Sequence, residues 1–330
     1  MPAPSRNLSK PSRTPRNSDA SVWGRRPRRR ATPWSRLPAA ALILSLSIAA
    51  AADSAHETRL PIRLGVSKAF LLNLNEDDAN AAVKAWSEAI IRPTRLELDG
   101  GPQLMSSEEI VHAIAHRLLD GFAITAPEYA MVARFVDPAI VTDDHYTTEY
   151  LVLVKKDSGI HDLAGLRRRS LLVYQDTTLC LAGAWLETLL AASNFEPPDR
   201  FFGRAKSSTQ VSQVILPVYF GSAGACLAPR HAFDLMSELN PQLRQKLETI
   251  AVSPKLISAL IGLHKDSGGE IKRRMREVLA GMSGSPRGRQ ILTLFQCQRL
   301  DTVDSSRLRG SIDLQAAYDR LKARRQGGGR

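Results

Sequence analysis

Few residues in this 330-residue chain stand at spacings that suggest chemistry. His112 and His116 are four apart, which would put both imidazoles on one helical face as a pair of metal ligands. At about 100° per residue, however, they fall opposite the apolar line Ile110, Ile114 and Leu118, on the solvent side. Neither an H-E-x-x-H motif nor a third ligand accompanies them, so no metal is expected. A G-x-S-x-G nucleophile turn, a G-x-x-x-x-G-K phosphate loop and a G-x-G-x-x-G dinucleotide loop are all missing. The chain is therefore expected to be neither an enzyme nor a cofactor carrier. Cys180, Cys226 and Cys297 show no C-x-x-C spacing and are too few for a disulfide scaffold. Polar helix starts are the remaining signal. Ser106-Ser107-Glu108-Glu109 precedes an apolar helical run with capping-box spacing. Such residues cap helix N-termini.

The formal charge of +12 suggests nucleic acid until it is mapped. Residues 1–52 hold ten Lys or Arg and one acid, leaving only +3 for everything after them. The body is close to neutral, and no nucleic-acid partner is expected. Residues 37–52 carry no charge, fall short of the roughly 20 apolar residues of a spanning helix, and end in Ala50-Ala51-Ala52, an A-x-A cleavage pattern. Residues 1–52 thus read as a basic leader and signal peptide, with export to the periplasm; a retained anchor is the alternative. An oxidising compartment would permit one disulfide and leave one thiol over.

The elements that must position these groups follow in alternation. Strands are expected at 62–67, 94–98, 121–125, 149–156, 170–175, 201–205, 223–228 and 257–264. Helices are expected at 76–91, from 107 through the Ile110, Val111, Ile114, Leu118 stripe, after Pro127, and at 178–193, 207–216, 229–239, 269–281 and 286–296. Strand–helix alternation gives an α/β fold with parallel sheet covered by helices. Two α/β units in succession allow either two consecutive domains or a chain that crosses between two lobes and returns. Residues 301–330 weaken in pattern and read as a C-terminal tail.

Residues 62–301 resemble the phosphate/phosphite/phosphonate-binding group of ABC-transporter periplasmic receptors. The segments that carry the resemblance are EIVHAIAHRLLDGFAITAPEY (109–129), YLVLVKKDSGIHDLAGL (150–166), VYQDTTLCLAGAW (173–185), GSAGACLAPRHAF (221–233) and MSGSPRGRQILTLF (282–295), in order. The resemblance implies a two-lobed type 2 periplasmic-binding-protein fold with a cleft between lobes joined by two hinge crossings. Lobe 1 would comprise 58–150 plus 255–300, and lobe 2 would comprise 155–250.

It also implies a ligand set. Asp176, Thr177 and Thr178 match the polar turn before the first lobe-2 helix, where Leu179-Cys180 departs from the family's Ser- and Gly-rich pattern. Thr125 and Tyr129 match the lobe-1 contact, Ser67 faces them from the first loop, and Arg230 marks the lobe-2 strand end. The bland readings stand beside these: Thr177 and Thr178 as caps alone, Tyr129 as a core-edge residue, Arg230 as a solvated charge. The same architecture brings Cys180 and Cys226 together in lobe 2 as a disulfide, with Cys297 unpaired. The function implied is capture of a small anionic, phosphonate- or phosphate-like solute by a monomer that delivers it to a membrane permease. A sensory module signalling to a membrane receptor is the alternative.

Overall fold

Two sheets carry the fold in the computed structural model, which describes residues 59–327 apart from Asn73 and Gln296. The expected leader and its cleavage site lie outside the described residues. The first sheet has six strands in the order Asp301–Asp304, Ala139–Thr142, Ala259–Leu263, Gly121–Thr125, Leu64–Ser67, Gln103–Met105. The last three are mutually parallel, and the first three are added by successive antiparallel pairings. The second sheet has five, ordered Arg204–Ser208, Ser170–Tyr174, Ala225–Pro229, Tyr150–Lys155, Leu247–Val252. These sheets are the frames of lobes 1 and 2.

Side-chain alternation divides each core into two layers. In Gly121–Thr125, Phe122 and Ile124 pack with Ile110 and Ile114, while Ala123 faces the opposite layer with Val66 and Trp86. In the central strand of lobe 2, Tyr150, Val152 and Val154 face Trp185 and Leu186, while Leu151 and Leu153 face Val214 and Phe233. Covering on both faces explains why these strands read as unbroken apolar runs. Gly262 is required by packing, because a Cβ there would come within 2.4 Å of the Phe122 ring.

The same alternation corrects the expected disulfide. All three cysteines are free. Cys226 points into the layer of Leu151 and Leu153, whereas Cys180 packs at the edge of the opposite layer with Leu181 and Trp185. The sheet itself lies between them, so Cys180 and Cys226 are not bridged. A second correction concerns Leu118. The Ser107–Ala115 helix ends where Arg117 turns left-handed (φ 56°), leaving Leu118 about half exposed.

Between the sheets the chain crosses twice, through Thr147–Thr148 and Leu256–Ile257, which pair antiparallel. Residues 301–327, expected as a tail, instead form the edge strand Asp301–Asp304 and the helix Arg309–Gly327. The Ser311 hydroxyl donates to the Ile257 carbonyl at 2.8 Å, and Ile312 packs on the lobe-1 layer. Leu314 packs on lobe 2, and Arg325 pairs with Glu187 of the Ala182–Ala192 helix at 2.6 Å. The terminal helix therefore braces both lobes. Ending the chain at Leu308 should lower the thermal midpoint by roughly 5–10 °C through loss of the Ile312 and Leu314 contacts. Calorimetry of the truncated protein checks this.

Candidate functional site

The carboxyl ends of parallel strands in an open α/β sheet are where ligands bind. In lobe 1 those ends bring Ser67, at the close of its strand, beside Thr125, at the close of the next. Both are buried, and both turn to the same group, the Glu128 carboxylate. Oε1 accepts from the Ser67 and Ser107 hydroxyls, each at 2.5 Å. Oε2 accepts from the Thr125 amide at 2.8 Å and its hydroxyl at 2.9 Å. Glu128 is only 3% exposed. A charge this deep costs several kcal/mol unless it is fully bonded; here four donors and the start of the Ala126–Val132 helix supply that. Glu128 was not among the sequence-derived site residues, although Thr125-Ala126-Pro127-Glu128 carries the capping-box spacing that would have found it.

Lobe 2 contributes the Asp176–Thr178 turn. The Asp176 carboxylate accepts from the Thr178 amide at 2.7 Å, capping the short helical turn Thr177–Leu179. The Thr177 hydroxyl reaches across the lobes to the Phe70 carbonyl at 3.2 Å. The Cys180 thiol likewise reaches the Ser258 carbonyl at 3.2 Å, and burial pushes that thiol up to about 12, with Glu128 and Asp176 adding to the shift. Thr178 is fully buried, and its hydroxyl has no hydrogen-bond partner among the described residues. Beside this turn lies a small cleft of about 60 Å³ lined by Phe70, Tyr146, Phe295, His145, Asp176 and Thr177.

Two expected contacts are committed to other partners. Tyr129 is buried among Ile110, Phe122 and Val132 in the lobe-1 core. Arg230 is engaged by the Glu149 carboxylate at the start of the Arg230–Leu239 helix. His112 and His116 stack with centroids 3.9 Å apart on the exposed face, and no group of three potential ligands joins them among the described residues.

The structure adds a histidine pair that sequence reading passed over. His145, in the short helical turn just before the first crossing, and His231, in the first turn of a lobe-2 helix, have ring centroids 4.9 Å apart. The Thr148 hydroxyl lies 3.4 Å from His231 Nδ1. Burial foremost, then the neighbouring His145, pushes His231 down to about 4, against the opposing pull of Asp176 and Asp234.

The sequence profile of the family described as "ABC transporter, phosphonate, periplasmic substrate-binding protein" matches residues 107–308, more than half of the chain. The chain belongs to that family. This phosphonate-receptor family is a transport class of solute-binding proteins, located outside the cytoplasm, and not a class of enzymes. Solved structures agree on the two-lobed type 2 fold. A Xanthomonas citri protein bound to chloride ion is 14% identical with a TM-score of 0.56, over 80% of this chain and 99% of that one. The binding-protein component of a Pseudomonas aeruginosa ABC phosphonate transporter is 13% identical, with a TM-score of 0.52 over 80% and 88%. PhnD1 from Prochlorococcus marinus, in complex with methylphosphonate, is 14% identical, with a TM-score of 0.54 over 78% and 98%. A search of curated proteins found no match. Among the described residues of this phosphonate-family receptor, no helix is long and apolar enough to cross a membrane.

The depressed His231 sets a direction for pH dependence. Unfolded His231 takes its proton near 6.5, while the folded form refuses it until about 4. Stability contributed by the neutral ring is complete above 6.5 and is lost as pH falls through that window. Unfolding free energies measured by denaturant titration from pH 7 to 4 should fall more steeply for the parent than for His231→Asn, the difference amounting to roughly 2 kcal/mol after allowance for partial solvent access.

Proposed function

We propose that this protein is an exported, monomeric receptor that captures a small phosphonate-like solute between its lobes and hands it to the membrane permease of an ABC transporter. The family match over residues 107–308 carries this reading. The cleft supports it: Asp176 and Thr177 of lobe 2 line it together with Phe70 and Tyr146 of lobe 1. The methylphosphonate held by the Prochlorococcus relative favours phosphonates as the first class to try. The acidic head of the solute would be gripped from the lobe-2 turn, where hydroxyls and amides at a helix start favour negative charge. Secretion through the basic leader and its A-x-A site belongs to the same reading.

The test is a thermal-shift screen of mature protein against phosphonates, phosphate, phosphite, sulfonates and amino acids. One class should raise the midpoint in proportion to the logarithm of its concentration. The same compound should reduce the radius of gyration in small-angle scattering as the lobes close. A protein indifferent to every class, with an unchanged scattering profile, would end the proposal. N-terminal sequencing of periplasmic material should begin near Asp53; full-length protein confined to the cytosol would remove the export step.

A further inference from the structure

The Asp176 turn occupies one end of the lobe-2 sheet, and the other end holds a second hollow. It is a pocket of about 550 Å³ lined by Lys155, Asp157, Arg168, Arg169, Ser170 and Ser222. Ser170–Tyr174 runs parallel to its two neighbours, so Ser170 stands about 13 Å of strand back from Tyr174 and the cleft side. Three cations and one acid line this pocket. Lys155 pairs with Asp157 at 2.9 Å, while Arg168 and Arg169 have no ion pair among the described residues. Arg167, the first of the same run, is satisfied: it meets Glu196 at 3.0 Å and lies over the Phe195 and Phe201 rings. The two remaining arginines sit on a fixed turn. The Arg168 amide donates to the Phe201 carbonyl at 2.7 Å, and the Gly203 amide to the Arg169 carbonyl at 3.0 Å. A Cβ at Gly203 would come within 2.4 Å of the Arg168 carbonyl oxygen, and one at Gly224 within 2.8 Å of the Arg169 Cβ. Two glycines thus let neighbouring segments clamp the turn from both sides. Arg168 itself holds φ 60°, a left-handed conformation that costs a side-chain-bearing residue energy.

We propose that this pocket is a second binding site, separate from the interlobe cleft, for a tetrahedral oxyanion of two negative charges such as a phosphate or phosphate monoester. Adjacent arginines without acidic partners repel one another, and walls around them concentrate the field, so a dianion is drawn in and relieves the repulsion. Guanidinium forks match the oxygens of a phosphate two at a time. A phosphodiester, as in a lipid headgroup, brings one charge and offsets only half of the excess. The lining residues fall between Lys155 and Gly224, all within lobe 2. Occupation therefore requires no closure of the lobes and is independent of the solute in the cleft.

Calorimetric titration with inorganic phosphate and pyrophosphate, at ionic strength held constant with chloride, tests the site on the parent and on the double variant Arg168→Gln/Arg169→Gln. The parent should bind pyrophosphate saturably, and the double variant at least about tenfold more weakly. Both arginines are exposed, so the variant is expected to fold with an unchanged thermal midpoint in the absence of anion. Ser222→Glu, which places a carboxylate at the pocket while keeping both arginines, should weaken binding in the same way. Small-angle scattering should show no change in radius of gyration with pyrophosphate, in contrast to a solute that closes the cleft. A parent that binds neither anion overturns the proposal. So does equal affinity in parent and variants, which would place the anion in the cleft or elsewhere, and so does chloride that displaces phosphate as well as phosphate itself does. Flotation with phosphatidylglycerol vesicles separates the two sources of phosphate: arginine-dependent vesicle binding without affinity for free phosphate would make this a membrane-facing surface and end the proposal.

Discussion

Everything in this fold hangs on the two strands that pass between its lobes, and Ser258 is where their hydrogen bonds converge. Its amide and hydroxyl both donate to the Tyr146 carbonyl, at 2.7 and 3.0 Å, tying the return crossing to the outward one. Its carbonyl accepts from the Ala126 amide of lobe 1 at 2.7 Å and the Cys180 thiol of lobe 2 at 3.2 Å. A few residues away, Ser253 and Tyr150 exchange two more bonds. Such groups are buried and would each cost 1–3 kcal/mol if left unpaired, by order of magnitude. The two crossings therefore act as one ribbon, and the site forms where both lobes meet that ribbon.

Much of the scaffold was legible because burial leaves a period in sequence. Gly121–Thr125 and Gly269–Gly281 match their expected limits, the first as a strand covered on both faces, the second through Met275 and Leu279 on one helical stripe. The edges were harder. Arg204–Ser208 is mostly exposed and so lacks an apolar signature, and it was expected three residues too early because the buried Phe201 and Phe202 precede it. Asp301–Asp304 and the terminal helix were missed for the same reason: the strand is polar at three of its four positions, and the helix fully buries only Ser311. Fully polar exteriors carry no periodic signal, whatever they do in three dimensions.

The site was less legible than the scaffold. Ser67 and Thr125 do stand at lobe-1 strand ends and Asp176, Thr177 and Thr178 at the first lobe-2 helical turn, because placing hydroxyls and a carboxylate there follows from topology. What sequence could not reveal is how they are spent. Ser67 and Thr125 turn inward to Glu128, a partner that depends on two strands and a helix arriving together. Tyr129 and Arg230 were drawn away by apolar packing and by Glu149. His145 and His231 are 86 positions apart and meet only because the crossing lies beside the lobe-2 helix.

The helix Arg309–Gly327 has a mechanical meaning beyond its packing. Two bodies joined by a single ribbon can bend and also twist about its length. A helix that touches lobe 1 through Ile312, the ribbon through Ser311 and lobe 2 through Glu187 would resist twisting more than bending. Fewer open geometries then compete with the closed one, so less of a ligand's binding energy goes into choosing among them. A closing motion constrained in this way would follow one path and end in one closed shape.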